Sequence, residues 1–331
     1  MSTSSRPVAR GSDFAPLMQA VRDSGLLRPR RWRYALLISL DLIPFVAVWI
    51  GVCLLGSSWW AIFLAAPAAV FATRVVFIGH DVSHRQVART ARTNHAIALF
   101  VGDLLSGFGA RWWVDKHSRH HANPNLVGRD PDVGPGAMVW TPAQAASRST
   151  RAGIWLRRNQ ARLYFPLLLL EAFNLRFGSL RAIRRARDLV LPLMHIAIYL
   201  GGLVLVLGPG KAAVFALAHQ ALLGLHLGCA FAPGHKGMPM PGPGELVDFL
   251  RRQVVTTRNV RGGPVVDWFL GGLNYQIEHH LFPGMPRPNL RAAQTFVRAH
   301  CARLDLSYVE ETFRTSMVLT LRHLHRTGAA S

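Results

Sequence analysis

Tyr34-Ala-Leu-Leu-Ile-Ser-Leu-Asp-Leu-Ile-Pro-Phe-Val-Ala-Val-Trp-Ile-Gly-Val-Cys-Leu-Leu55 is an apolar run interrupted by one charge, Asp41. As a helix it is long enough to cross about 30 Å of hydrocarbon. Gly56-Ser-Ser58 breaks the run, and Trp59 and Trp60 follow where interfacial aromatics are favoured. A second apolar run, 60–78, leads back. Runs 189–207 and 212–232, separated by Gly208-Pro-Gly210, repeat the pattern. Two helical hairpins with short outer turns are therefore predicted, which makes the chain an all-α integral membrane protein with four transmembrane helices. Arg74, His195, His219 and His226 also interrupt the apolarity of the runs.

Composition agrees. Half of the 331 residues are hydrophobic, which excludes intrinsic disorder, and no Gly-X-Y period exists. Three cysteines, two of them inside apolar runs, make no disulfide framework. The net charge of +21 invites a nucleic-acid reading, but its placement argues against one. Residues 1–33 hold 7 of the 38 Lys and Arg residues, 74–188 hold 18 and 233–331 hold 12. The outer turns hold only Lys211. The positive-inside rule then puts both termini and the middle segment on the cytoplasmic side, in contact with membrane lipids. No secretory signal is expected, since no small-residue cleavage site follows the first apolar run. The bias to Arg over Lys fits a GC-rich genome.

Between the hairpins, 95–108 and 163–170 are too short to span and suit helices lying in the interface. Residues 123–141, rich in Pro, Gly and Asp, read as loop. Residues 151–187, Arg-studded, suit a helix on anionic headgroups.

The chemistry lies in the histidines. His80 and His84 are an i, i+4 pair; His117, His120 and His121, and then Gln276, His279 and His280, repeat an i, i+3, i+4 spacing. On a helix each cluster points to one side, so several helices can surround a metal with imidazoles. Seven such histidines exceed the needs of one four-coordinate zinc. Two metals with five or six ligands each would use them, and a His-rich pair of irons working on O₂ is the natural candidate. His235, just after the fourth run, is a further candidate ligand. His219 and His226 suit bundle or tunnel lining, and His95, His195, His300, His323 and His325 suggest no special role. Asp81, Asp115, Asp130, Asp132, Asp267 and Glu278 lie near the clusters, and none is singled out.

His80-Asp-Val-Ser-His84, Trp112-Trp-Val-Asp-Lys-His-Ser-Arg-His-His-Ala-Asn-Pro-Asn125 and Asn274-Tyr-Gln-Ile-Glu-His-His-Leu-Phe-Pro283 together resemble the three histidine boxes of the membrane fatty acid desaturases. The Gln-x-x-His-His form of the last resembles the acyl-lipid and front-end branch, and the chain looks like bacterial acyl-CoA or acyl-lipid desaturases, which implies a bacterial inner membrane as its location. The resemblance implies four membrane helices beneath a cytoplasmic helical cap that holds two irons. It assigns ligand roles to His80, His84, His117, His120, His121, His279 and His280, a weaker ligand or hydrogen-bonding role to Gln276, and a ligand role to His235. Family members usually have Asn before that last histidine; this chain has Gly234.

The organisation this implies is an amino-terminal arm over 1–33, a desaturase domain over 34–310 and a tail over 311–331. The domain's spans would be 34–55, 60–78, 189–207 and 212–232, and its cap 79–188 and 233–310. The expected reaction puts a cis double bond into a fatty acyl chain, carried as acyl-CoA or acyl-lipid, with O₂ as co-substrate and two external electrons. No cytochrome b5 or iron–sulfur signature is visible, so a separate donor such as a ferredoxin with its reductase is expected. A lipid or carotenoid hydroxylase or ketolase of the same diiron type is the alternative, followed by a non-redox membrane metalloprotein.

Overall fold

The computed structural model describes residues 12–242, 244–245 and 248–329; the first part of the expected amino-terminal arm lies outside them. In chain order the helices are α1 (Phe14–Asp23), α2 (Arg31–Leu55), α3 (Ala65–Ser83), α4 (Ala91–Ala98), α5 (Ala110–Ala122), α6 (Pro142–Ala146), α7 (Arg151–Leu168), α8 (Glu171–Arg181), α9 (Val190–Ile196), α10 (Gly202–Leu207), α11 (Pro209–Phe231), α12 (Phe249–Val255), α13 (Pro264–Phe269), α14 (Gln276–Leu281), α15 (Leu290–Arg303) and α16 (Phe313–Ala329). Among the described residues the strands are β1 (Asn259–Arg261) and β2 (Glu310–Thr312), a short parallel pair with Val260 opposite Glu311.

Among the described residues, four helices are long and apolar enough to cross a membrane: Arg31–Leu55, Trp59–Ser83, Ala186–Leu207 and Pro209–Phe231. Only 11% and 17% of the apolar windows of the first and third are buried, against 56% and 50% for the second and fourth. The second and fourth spans therefore form the centre, and the others flank it with faces left for lipid. Small residues allow the close approach: Ala61, Ala65, Ala68 and Ala212 are buried where the outer ends meet. Gly224 is another, since a Cβ there would come within 2.6 Å of the Leu168 carbonyl where α7 gives way to α8. Gly56 and Gly208 adopt positive φ and end α2 and α10.

The second span runs past Ile78, where the apolar run stops, to Ser83. Hydropathy marks where hydrocarbon-compatible residues end, whereas the backbone ladder continues through His80. The amino-terminal arm also differs from expectation. Residues 14–23 form α1, whose Leu17 and Val21, four apart on one face, are buried among Leu250, Val254, Ile277 and Leu281. The segment 311–331 contributes β2 and then α16, which buries Met317, Thr320 and Leu324. The stretch 151–187 forms two main helices, α7 and α8.

Arg74 links the first two spans to each other and to α13. Arg74 Nε and Nη2 lie 2.8 and 3.1 Å from the Asp41 carboxylate oxygens, both side chains being buried. The same guanidinium donates to the Trp268 carbonyl and lies over the Trp268 ring, which fixes α13 against the bundle. Replacing Asp41 by Ala leaves a buried cation without its carboxylate and should cost about 3–5 kcal/mol, read as a lower unfolding midpoint in detergent. The Asp41→Leu, Arg74→Met double variant should recover most of that loss.

Candidate metal centre

Each histidine cluster sits at a helix end facing the same small volume. His80 lies in the last turn of α3 and His84 caps that helix. His117, His120 and His121 occupy the last turns of α5, and Gln276, His279 and His280 lie on α14. His235 enters from the turn after α11, where its amide nitrogen bonds the Ala232 carbonyl. Thus α3, α5, α14 and this turn bring their side chains together.

They form two groups. His80, His84, His117, His121 and His279 each offer a nitrogen within 4.8 Å of the others, and so do His120, His235 and His280. Gln276 joins the second group, its amide nitrogen being 2.8 Å from His235 Nε2. His84 Nε2 and His121 Nε2 stand 2.9 and 3.1 Å from His117 Nε2. His120 Nε2 and His280 Nε2 stand 3.3 and 3.1 Å from His235 Nε2. Nitrogens that share one ion at about 2.1 Å stand about 3 Å apart when adjacent, so the spacing fits metal binding. Buried His80 Nε2 and His279 Nε2 have no hydrogen-bond partner, another sign that the site is made for an ion.

Electrostatics favour ligation as well. Burial, and then the neighbouring imidazoles, hold His84, His117, His121, His279 and His280 well below the ordinary histidine value. Burial does the same for His235, with His120 the next cause. These rings are therefore neutral, with lone pairs free for a cation.

A second layer orients the rings. Both oxygens of Asp130 lie 3.0 Å from His120 Nδ1, which leaves Nε2 to face the group. His280 Nδ1 donates to Gln253 Oε1 at 2.9 Å, and the same amide donates to the His121 carbonyl. His80 Nδ1 lies 3.3 Å from Asp81, whose other oxygen is 3.0 Å from Arg287 Nε. Asp132 pairs with Lys116; that cation, His120 and Lys236 outweigh burial and hold its carboxyl below the usual range. The turn carrying His235 is braced by Asn125, which donates to the His235 carbonyl at 2.9 Å, and by fully buried Arg258, which donates to the Pro233 carbonyl at 2.7 Å.

Sequence reasoning named Asp81, Asp130 and Asp132 without singling them out, and it missed Gln253, Arg287, Asn125 and Arg258. Lys116 and Asn125 lie inside the quoted second box. The others carry no local signal. The remaining histidines separate by surroundings. His95 and His325 are exposed, while His226, His300 and His323 bond backbone carbonyls. His195 and His219 enter a buried polar network among the spans.

A cavity of about 530 Å³ opens beside His80. Val76, Val101, Phe108, Trp113, Leu227 and Phe231 line it, and Trp113 stacks on His117 at 4.9 Å. An apolar chain lying there would run past the first histidine group.

Gly234 is tied to the second group. A Cβ at this position would approach Gln276 Cγ to 2.7 Å. In Gly234→Ala the carboxamide should be displaced from His235, and the second group should bind metal about 10- to 100-fold more weakly. Elemental analysis after dialysis against a chelator should then show the loss of one ion per chain. Gly201→Ala, where a Cβ meets nothing within 4 Å, should lose none.

Comparison with known proteins agrees with this arrangement. The family model described as fatty acid desaturase matches residues 57–312. Fatty acid desaturase 3 of Bos taurus is 32% identical over 323 residues, which cover 96% of this chain and 73% of the relative. Acyl-lipid (9-3)-desaturase of Physcomitrium patens is 30% identical over 77% of this chain and 51% of its own length. Delta(6)-fatty-acid desaturase fat-3 of Caenorhabditis elegans is 27% identical over 94% and 74%. All three are eukaryotic proteins. With the match spanning every histidine cluster and the membrane bundle, the chain belongs to the fatty acid desaturase family and is an oxidoreductase.

Proposed function

We propose that the protein introduces a cis double bond into a fatty acyl chain, using O₂ and two external electrons, at a pair of iron ions. The observation that carries this reading is the convergence of eight imidazoles, in groups of five and three, with His80 of the first group also in the wall of an apolar cavity. His80, His84, His117, His121 and His279 would hold one ion; His120, His235, His280 and Gln276 would hold the other. More than four donors at one site exceed what a tetrahedral zinc uses, and imidazole suits iron. Bound irons would supply the redox chemistry with O₂.

The chain's own part is position and exclusion of water. Val76, Leu227 and Phe231 give the acyl chain an apolar bed, and His80, which belongs both to the cavity wall and to the first group, fixes which methylene lies nearest the ions. Asp130 and Gln253 keep the Nε2 atoms of His120 and His280 turned to the ion. By the positive-inside rule the histidine-bearing side and both termini would face the cytoplasm. There a basic surface would steer a separate, acidic electron donor, and an acyl-CoA or acyl-lipid would enter.

Expression in a lipid-producing host should yield a new unsaturated fatty acid, detected by gas chromatography with mass spectrometry, only with oxygen present. His279→Ala should abolish it, and Asp130→Asn should lower it about 10- to 100-fold. A hydroxylated product in its place, or zinc rather than iron in active protein, would overturn the assignment.

A further inference from the structure

The cavity beside His80 has a neighbour. A second chamber of about 320 Å³ adjoins it and shares Val76, Ser106 and Phe108 as walls. Ala72, Tyr199 and Gln220 line this chamber and lie well inside the second, third and fourth spans. The chamber is thus at membrane depth. From Ala72 to His80 along the second span is about 12 Å at 1.5 Å per residue.

One wall of this chamber is polar. Arg176 Nε donates to Gln220 Oε1 at 3.2 Å, and Nη1 donates to His195 Nε2 at 3.1 Å. His195 Nδ1 in turn donates to the Leu104 carbonyl at 2.9 Å. Tyr199 donates to His219 Nδ1 at 2.8 Å. Every hydrogen-bond partner of the Arg176 guanidinium is neutral, and its Nη2 has none among the described residues. Room for this arrangement is provided by Gly107, at φ +65°, because a Cβ there would overlap Arg176 Nη1 and the His195 ring.

Arg74 and Arg287 pair with Asp41 and Asp81, whereas fully buried Arg258, which braces the His235 turn, bonds the Pro233, Lys236 and Ser316 carbonyls. Arg176 also lacks a carboxylate, and it opens on a chamber that adjoins the cavity at the metal centre. A charged side chain at membrane depth marks a functional site when it faces a cavity.

We propose that this chamber recognises an acceptor oxygen carried at the far end of the acyl chain, a terminal carboxylate or hydroxyl, which Arg176 binds while the chain passes Phe108 and lies against His80. The proposal rests on the reading of the first cavity as the acyl site. A chain ending in a methyl group would bury Nη2 with no acceptor, and that loss disfavours its binding.

The test uses the full-length, metal-loaded protein in phospholipid nanodiscs, with palmitic acid, its omega-hydroxy derivative and the corresponding dicarboxylic acid as probes. Wild type should bind the two end-oxygenated acids about tenfold more tightly than palmitic acid. Arg176→Met should abolish or reverse that order with its metal content unchanged. Equal or tighter binding of palmitic acid by wild type overturns the proposal, and so does an unchanged order in Arg176→Met. The wild-type comparison decides the matter alone if the variant does not fold. Binding is measured without O₂ or reductant, so a failure to desaturate, with the binding order preserved, would count against the desaturase reading and leave this site standing.

Discussion

Neutral imidazoles crowded to about 3 Å are the constraint on which the rest of the structure depends. Their lone pairs point at one another, and in a dry interior that arrangement is unfavourable until a cation takes its place among them. The chain holds them there by fixing the opposite edge of several rings. Asp130, Gln253 and the Asp81–Arg287 pair each take a ring Nδ1 side, so the Nε2 atoms have one direction left. Asn125 and Arg258 do for the His235 turn what a helix does for the other ligands.

The membrane part serves the same end. Its two central spans end at the histidine groups, and its cavity lies between them and the cap helices. Buried ion pairs are weak sources of stability, but they fix position. Arg74 joins Asp41 in the first span to the Trp268 carbonyl in the cap. The first span thereby helps to set the height of α13, although little of its surface is buried.

The bundle and the three boxes were legible because each rests on a local pattern. Continuous apolarity gave the spans, and spacings of three and four gave the shared faces of His117, His120 and His121 and of Gln276, His279 and His280. What escaped acts across long sequence distances. Gln253 touches the His121 carbonyl 132 residues away. Asn125 reaches His235 over 110 residues. No window of sequence reveals such partners. Helix α1 escaped for a different reason: Phe14, Leu17, Met18 and Val21 share one face, but over only ten residues, far short of the apolar length that marks a span. His195 looked ordinary, and its role appears only beside Arg176.

Helix α1 also bears on how the molecule is made. It packs beneath α12, α14 and α15, Arg251 reaches back to Asp13, and His300 bonds the Asp13 carbonyl. A helix that leaves the ribosome before the spans thus rests on segments that follow them. The second and third histidine boxes are likewise divided by two bilayer crossings. Neither group of ligands can be complete before the last crossing is inserted and the carboxy-terminal third has emerged. Metal loading is therefore a late event in biogenesis, and a chain stalled during translation holds only fragments of the centre.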